Sequence, residues 1–161
     1  MYKVLGYDNP WFYHDAPMLE IPEGYLGFVY QITNTKTHKS YIGRKLFKFT
    51  KTTTTTSLNK KKIKHKHLNE SDWKSYYSSS PSLNHDVNLY GTHHFRREIL
   101  HLCYSKGECN YLEAKEQFTR GVLEKPKYWY NQQIRVRVST SHIKRLNADE
   151  PITENTNNKA L

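Results

Sequence analysis

The sequence predicts a small α+β domain whose centre is a mostly antiparallel, three-stranded sheet flanked by helices. Three observations predict this fold. Two segments rich in β-branched and aromatic residues lie on either side of a polar turn, a third alternating segment comes much later, and the most regular helical pattern of the chain follows it. With 161 residues, the chain has the length of one ordinary domain.

The first residues, 1–24, are predicted to form an extended arm. Prolines at positions 10, 17 and 22 exclude a long helix, because proline lacks the backbone N–H and clashes with the preceding helical turn. The aromatic run "WFY" at positions 11–13 is expected to pack this arm onto the domain.

Two strands are predicted after the arm. The segments "LGFVYQIT", residues 26–33, and "KSYIGRKLF", residues 39–47, have the composition of strands, and the residues between them are rich in Asn and Thr, as turns are. The next segment, 48–68, contains five consecutive threonines and a run of Lys and His. Little of it can be buried, so we predict a flexible basic loop rather than a mobile hairpin.

Two helices and a third strand are predicted next. Ser71 or Asp72 is a suitable N-cap for a short helix over "WKSYY". Pro81 favours the first turn of a second helix, which Gly91 would end. The segment "HFRREILHLCY", residues 94–104, alternates in the manner of a strand with one buried face.

The strongest helical pattern is "ECNYLEAKEQFTRGVLE", residues 108–124. A turn and a last extended segment are expected to complete the domain, which is predicted to span residues 25–139. The polar tail, residues 140–161, lacks any pattern and is predicted to be disordered. The core stripe predicted for the helix is Tyr111, Ala114, Phe118 and Val122.

The charge of the chain points to a polyanionic partner. The formal net charge is +10, and between Glu23 and Glu70 there are eleven Lys or Arg residues and no acidic residue. Such a stretch favours contact with nucleic acid, because basic side chains replace the counterions of the phosphate backbone. The candidate DNA-binding lysines are Lys48, Lys51, Lys60, Lys61, Lys62 and Lys64.

Nothing in the sequence indicates a membrane or an oxidising compartment. Cys103 and Cys109 lack the second pair that a zinc ribbon would need, and we expect them to be reduced cytoplasmic thiols. The N-terminus has no charged region followed by an apolar one, and no run of 18 apolar residues occurs. We therefore expect a soluble, cytoplasmic protein with no membrane partner.

The segments "GFVY" and "YIG", with a hairpin turn between them, resemble the motif that names the GIY-YIG nuclease superfamily. Other segments follow in family order: "GRK" after YIG, "YLEAKEQF" on the helix and "KPKYWYN" near the end, while "ESDWKSYYSSS" and "FRREIL" are similar to the phage-encoded, homing-type members. The resemblance covers residues 27 to about 138. It implies a GIY-YIG-like fold and a metal-dependent DNA endonuclease that acts in the cytoplasm of a phage-infected bacterium.

The resemblance also implies one divalent metal, Mg²⁺ or Mn²⁺, held largely by one glutamate. Glu113 in "LEA" matches that glutamate, and Glu116, one turn further along the helix, is the alternative ligand. Mg²⁺ suits such a site because it keeps several waters and needs only one or two carboxylates. Glu116 also lies four residues before Arg120, a spacing that favours a simple ion pair.

Tyr30 and Tyr41 are the residues that the motif places beside the scissile phosphate. We expect Tyr30 to be the general base or to orient the attacking water, with Tyr41 as its hydrogen-bonding partner. A phenol titrates near 10, so this role requires neighbouring positive charge. Arg44 and Lys45 follow YIG directly and are expected to supply it.

The sequence does not decide which residue neutralises the charge of the phosphate. Where many family members have an arginine on a helix after YIG, this chain has its basic threonine-rich segment. Arg44, Lys45 and Arg97 are the candidates, and Arg97 equally suits a structural ion-pair strip. Asn131 is expected either to fix the loop after the helix or to contact the DNA backbone.

Two other functions stay open at this stage. One is a nucleic-acid-binding module that keeps the fold without cutting, and the other is a nuclease directed at RNA. For the leading hypothesis the partner is double-stranded DNA, with no small-molecule cofactor. One active site cuts one strand per visit, so a double-strand break would need a homodimer on the DNA or a second visit.

Overall fold

The structure is a computed structural model in which residues 9–148 are described. Compared with the predicted core, the structure has two further strands before it, a hairpin within it and a short helix after it. Short 3₁₀ turns lie at Thr92–His94 and Thr140–His142. The elements are β1 (Trp11–Tyr13), β2 (Ala16–Met18), β3 (Gly27–Asn34), β4 (Ser40–Leu46), β5 (Lys48–Thr56), β6 (Lys62–Glu70), α1 (Pro81–Tyr90), β7 (Phe95–Cys103), α2 (Lys106–Arg120) and α3 (Lys144–Ala148).

The main sheet has five strands in the order β2-β1-β7-β3-β4. Its central part, β7-β3-β4, is antiparallel throughout, which confirms the predicted α+β core. The sheet is nevertheless larger than the three strands predicted, because β1 pairs with β7 in parallel and β2 pairs with β1. Segment 11–18 is therefore part of the sheet rather than an extended arm, and the prediction for residues 1–8 lies outside the described part.

Trp11 explains why the N-terminal segment joins the sheet. Its side chain is buried, its ring contacts those of Phe28 and Tyr30, and its Nε1 donates a hydrogen bond of 2.7 Å to the carbonyl of Trp73. Burial of an indole with its N–H satisfied is strongly favourable, and the backbone of β1 extends the ladder at the same time.

The two faces of the sheet bury different residues, since side chains alternate along each strand. One face packs Phe28, Tyr30 and Ile32 of β3 against Trp73 and helix α1. The other face packs Val29 and Ile42 against α2. Consecutive residues of β3 and β4 therefore point to opposite layers of the domain.

Segment 48–68 is a regular antiparallel hairpin and not the loop that was predicted. Its strands β5 and β6 pair in continuous register from Lys48 opposite Glu70 to Thr56 opposite Lys62. Threonine favours strands because its branched side chain suits a pleated surface, and cross-strand pairs add to this preference. Nearly all of these residues are exposed, so the hairpin forms with little burial.

Three further local predictions need correction. Residues 71–80 contain turns instead of a short helix, because the hydroxyl of Ser71 donates to the carbonyl of Leu46 and does not begin a helix. In α2, Phe118 of the predicted core stripe is 64% exposed, and Leu112 is buried instead. The first part of the tail predicted to be disordered forms α3, and the rest, from residue 149, lies outside the described residues.

The predicted second helix, third strand and last helix are present as α1, β7 and α2. Ser80 caps α1 by accepting a hydrogen bond from the N–H of Leu83, and Pro81 occupies its first turn. Across residues 9–148, no helix has the length and the hydropathy that crossing a membrane would require.

Arg97 is buried in the layer between β1, β7 and the 71–80 segment. It is 2% exposed, and its guanidinium donates hydrogen bonds of 2.9 Å to the carbonyls of Lys74 and Tyr76 and another to the carbonyl of Asn9. It also lies 4.7 Å from the ring centre of Trp11. The predicted role of Arg97 as a DNA or phosphate contact is wrong, because the side chain is buried and its guanidinium joins three segments of main chain.

We predict that Arg97→Met lowers the free energy of unfolding by about 3 kcal/mol or more, because buried carbonyls lose charge-assisted donors. The matched control is Arg96→Met, since the neighbouring Arg96 is half exposed and pairs with Asp15 and Glu98 at the surface. That change should lower the free energy of unfolding by less than about 1 kcal/mol. Chemical denaturation of both variants measures the difference, and equal losses would contradict the structural role of Arg97.

Candidate active site

The site is built on β4, an edge strand of the sheet. Its outer side is covered at Ile42, where the main-chain N–H donates to Asn131 Oδ1 at 3.0 Å and the carbonyl accepts from Asn131 Nδ2 at 2.8 Å. Gln117 Nε2 donates to the same carbonyl at 3.2 Å. The side chain of Asn131 is buried and bonds both main-chain groups of Ile42, so this residue fixes β4 to the loop after α2, which favours the structural one of its two predicted roles.

Tyr30 and Tyr41 lie on the same face of neighbouring strands, with ring centres 6.2 Å apart. Tyr30 is buried, and its hydroxyl lies over Gly43, directly opposite it in the ladder. A Cβ at position 43 would be 2.5 Å from that hydroxyl, so only glycine leaves room for it. Tyr41 is partly exposed and lines an open cleft with Ser79 and Gln132.

The two phenols differ in how readily they can ionise. Burial raises the pKa of Tyr30 well above its ordinary value, and the neighbouring Tyr76 and Tyr41 raise it further. Burial also raises the pKa of Tyr41, but a hydrogen bond with Ser79 and the positive charge of Arg44 oppose the rise. Tyr30 therefore stays protonated, which argues against its use as a base.

Arg44 and Glu113 form the charged part of the site on the α2 side of β4. The distance from Arg44 Nε to Glu113 Oε2 is 2.9 Å, and both side chains are more than half buried. Burial raises the pKa of Glu113, while Arg44 lowers it. Among residues 9–148, Arg44 is the one ion-pair partner of Glu113, so the other carboxylate oxygen has no ion-pair partner there.

Lys45 points to the other face of β4. Its Nζ lies 2.5 Å from Asp72 Oδ1 and 3.8 Å from the ring centre of Tyr76. This contact lowers the pKa of Asp72, mainly through the hydrogen bond from Lys45. Because Tyr76 in turn packs against Tyr30, Lys45 supports the tyrosine side of the site and Arg44 the glutamate side.

Glu116 is engaged by two partners. Its Oε1 lies 2.6 Å from His101 Nε2, and its Oε2 lies 2.9 Å from Arg120 NH2. A register shift in the β3–β7 ladder, between Val29 and Tyr30, places His101 opposite Val29 on the α2 side. Both carboxylate oxygens of Glu116 are thus used, which favours Glu113 over Glu116 as a metal ligand.

The donors present fit a magnesium-type site of the simplest kind. Within the described range, no group of three or more His, Cys, Asp or Glu side chains converges. A single mostly buried carboxylate with one oxygen outside its ion pair, as in Glu113, suits Mg²⁺ or Mn²⁺, which retain water ligands and require few carboxylates. The pKa of Glu113 is raised by burial, and the one nearby guanidinium, that of Arg44, only partly opposes the rise.

Tyr41 lies on the opposite face of β4 from Arg44 and Glu113, and both charged groups are near enough to influence its pKa. The structure separates these residues from the hairpin lysines, which lie on β5, β6 and their turn. Sequence reasoning favoured a packing role for Tyr76 over stacking on an exposed base, a capping role for Asp72, and no role for Ser79. Their positions after the hairpin carried no chemical pattern, and only the family resemblance of "ESDWKSYYSSS" singled that segment out.

One comparison with known proteins finds a match, which is to a family model. A family model described as "Putative endonuclease segE, GIY-YIG domain" matches residues 11–134. The matched region runs from β1 to the loop after α2 and contains every residue of the site described above. No curated protein matches the chain, and no solved structure matches it.

We predict that Arg44→Gln raises the pKa of Glu113 further, because the positive charge that opposes the effect of burial is lost. As pH falls, the carboxyl of the variant then takes up its proton earlier than that of the wild type. Side-chain NMR of the Glu113 carboxyl carbon across a pH series measures the change. Arg120→Gln is the matched control. Because Arg120 pairs with Glu116, its substitution should not change the pKa of Glu113.

Proposed function

This chain belongs to the segE-type GIY-YIG endonuclease family, and on that premise we propose that it is a divalent-metal-dependent DNA endonuclease that hydrolyses phosphodiester bonds. The observation that carries the proposal is the Glu113–Arg44 pair held beside the YIG strand, next to the partly exposed Tyr41. A carboxylate, a guanidinium and a phenol around one strand can serve as metal ligand, phosphate contact and water-orienting group in phosphodiester hydrolysis.

Hydrolysis requires an activated water, a stabilised leaving oxygen and neutralised charge on the phosphoryl oxygens. When bound, a divalent cation supplies positive charge that makes a nearby water easier to ionise and offsets the charge of the phosphate. Glu113 is the residue that would hold it. Glu116 is the weaker candidate, because His101 and Arg120 occupy its two oxygens.

Tyr41 is proposed as the phenol that meets the substrate. It borders an open cleft, and Arg44 and Ser79 oppose the rise of its pKa, so its hydroxyl is better suited than that of Tyr30 to orient the attacking water. Tyr30 is proposed as a positioning residue. Its buried hydroxyl over Gly43 and its contact with Tyr76 fix the packing against which Tyr41 lies.

Arg44 is proposed to neutralise the phosphate. Its planar guanidinium suits bidentate phosphate contact, and its side chain is one-third exposed beside Glu113. Lys45 is a second source of positive charge on the opposite face of β4, where it faces Asp72 and Tyr76. Of the three candidates that the sequence left open, Arg97 is removed by its burial.

The biological setting is also part of the proposal. The resemblance to phage-encoded, homing-type members supports cleavage of double-stranded DNA, that of a host or of a competing genome, in the cytoplasm of an infected bacterium. The net charge of +10 supports a polyanionic substrate. A homodimer on the DNA would allow the single site of each chain to cut one strand.

We predict that Glu113→Gln lowers the rate of plasmid cleavage in Mg²⁺ or Mn²⁺ by more than about 100-fold, since even residues that only support a metal ligand contribute 10- to 100-fold. Glu116→Gln, the matched control one turn away, should retain most of the rate. Conversion of supercoiled plasmid to nicked or linear DNA measures both.

The same assay separates the alternatives. Wild-type protein that retards plasmid in a gel but leaves it intact with either metal would establish a binding module that does not cut. Cleavage of RNA in preference to duplex DNA would establish the RNA-directed nuclease. A larger loss for Glu116→Gln than for Glu113→Gln would reverse the choice of metal ligand.

We predict that Tyr41→Phe lowers the single-turnover cleavage rate by roughly 100-fold or more, because the hydroxyl that meets the substrate is removed. Tyr30→Phe should lower the rate by less than about tenfold while it reduces the free energy of unfolding by about 1 kcal/mol, since one buried hydrogen bond is lost. Cleavage at saturating protein and thermal unfolding are measured on both. A larger rate loss for Tyr30→Phe would restore Tyr30 as the base.

A further inference from the structure

The β5–β6 hairpin is a two-stranded ribbon that belongs to no other sheet. Each strand has nine residues, which corresponds to a length of about 30 Å. The ribbon begins two residues after β4 ends, and the N–H of Ser71 donates to the carbonyl of Phe47 at its base. It therefore extends directly from the strand that carries YIG.

The register divides the ribbon into two faces of different chemistry. Residues directly opposite each other share a face, and successive residues alternate between faces. We call the two faces the lysine face and the histidine face. The lysine face comprises Lys48, Thr50, Thr52, Thr54 and Thr56 with Lys62, Lys64, Lys66, Leu68 and Glu70, and the histidine face comprises Phe49, Lys51, Thr53 and Thr55 with Ile63, His65, His67 and Asn69.

Positive charge is concentrated on the lysine face. Lys62, Lys64 and Lys66 follow one another at every second position of β6 and are all exposed. The one carboxylate of this face, Glu70, lies at the base, where its Oε1 accepts a hydrogen bond of 2.8 Å from Trp73 Nε1. The outer part of the face thus carries lysines and threonines alone.

The histidine face is occupied by contacts within the ribbon. Thr53 Oγ1 lies 3.2 Å from His67 Nε2, and Thr55 Oγ1 lies 3.0 Å from His65 Nε2. Lys51 is the one lysine of this face. The two faces of one exposed ribbon therefore differ in charge although they share the same strands.

We propose that the lysine face binds the sugar-phosphate backbone of duplex DNA beside the cleavage site and supplies sequence-independent affinity, an inference that rests on the proposed endonuclease function. Lys48, Lys62, Lys64 and Lys66 make this surface. Lys51 lies on the other face, and Lys60 and Lys61 lie in the turn, so three of the six lysines predicted from the sequence are excluded from it.

The spacing suits a phosphate backbone. Lysines at alternate strand positions are about 6.8 Å apart, twice the rise of about 3.4 Å per phosphate along one DNA strand. The threonine hydroxyls that β5 contributes to this face can donate to phosphate oxygens, as such hydroxyls commonly do in protein–DNA contacts. Lysines can also protect an exposed ribbon from pairing edge to edge with another chain, but for that purpose they could lie on either face. Because most of them lie on one face, binding of an anionic ligand explains their arrangement better.

The test compares three proteins, each in the Glu113→Gln background so that DNA is bound without being cut. In the first, Lys62, Lys64 and Lys66 are changed to Gln. In the second, the control, three exposed lysines elsewhere are changed to Gln, with the same loss of net charge. The control lysines are Lys106, Lys115 and Lys144.

A third protein moves the charge without changing its amount. It combines Lys62→Thr, Lys64→Thr and Lys66→Thr with Ile63→Lys, His65→Lys and His67→Lys, so that three lysines join Lys51 on the histidine face. Circular dichroism and thermal unfolding show that each variant is folded. Since the ribbon lies outside the main sheet, these changes leave the core packing in place.

Fluorescence anisotropy with a labelled duplex of about 30 base pairs measures the affinity over a series of KCl concentrations. We expect the first variant to bind DNA roughly 10- to 100-fold more weakly. The slope of log K against log salt should also become shallower by about 2.7, because each of three lost phosphate contacts contributes about 0.9. The face-swapped variant should show a similar loss, and the control should stay within about threefold of the parent.

The inference is overturned if the first variant binds as tightly as its parent, if the control loses as much affinity, or if the face-swapped variant retains full affinity. It is also overturned if the lysine changes weaken binding to a 30-nucleotide RNA but not to the DNA duplex. Plasmid cleavage by protein with Glu113 intact is measured separately. Tight binding of DNA without cleavage would overturn the proposed function but not this inference. Cleavage together with unchanged DNA binding in the lysine variant would overturn this inference but not the proposed function.

Discussion

The arrangement of the candidate active site depends on how β4 is held at the edge of the sheet. An edge strand normally presents its N–H and C=O groups to water, but here the amide of Asn131 takes both main-chain groups of Ile42. On its other side, β4 is fixed by its ladder with β3. With the strand held from both sides, alternation directs Tyr41 and Lys45 to one layer and Arg44 to the other. The two halves of the site are thus set by how this one strand is held.

Charged residues of similar sequence context have very different roles in this fold. Arg96 and Arg97 are neighbours in β7, yet one is half exposed and the other joins three main-chain segments in the core. Glu113 and Glu116 lie one turn apart in α2, yet Glu113 has one partner within the described residues, while Glu116 has two. In each pair the partners decide the role, because a buried charge persists only where its hydrogen bonds are supplied.

The β5–β6 hairpin shows that a polar, low-complexity segment can have regular structure with little burial. Threonine contributes strand propensity, and the Thr–His contacts add cross-strand pairs on one face. The prediction of a loop weighed the lack of apolar residues, which is the usual guide to stability. Alternating lysines also allow a hairpin, the alternative that the lack of burial disfavoured, and this alternation is what separates the lysines from the histidines.

The sequence by itself determined the central strands, α1, α2 and the family, because strand alternation, helix caps and the "GFVY" and "YIG" segments are local features. It also indicated Tyr41, Arg44 and Glu113 through the resemblance, and their roles stay proposals. Only the tertiary structure decided that Arg97 and Asn131 are structural, that residues 11–18 join the sheet and that Tyr30 is buried. These outcomes depend on partners far away in the chain, such as Asn9 for Arg97 and Ile42 for Asn131, and no local pattern encodes such pairings.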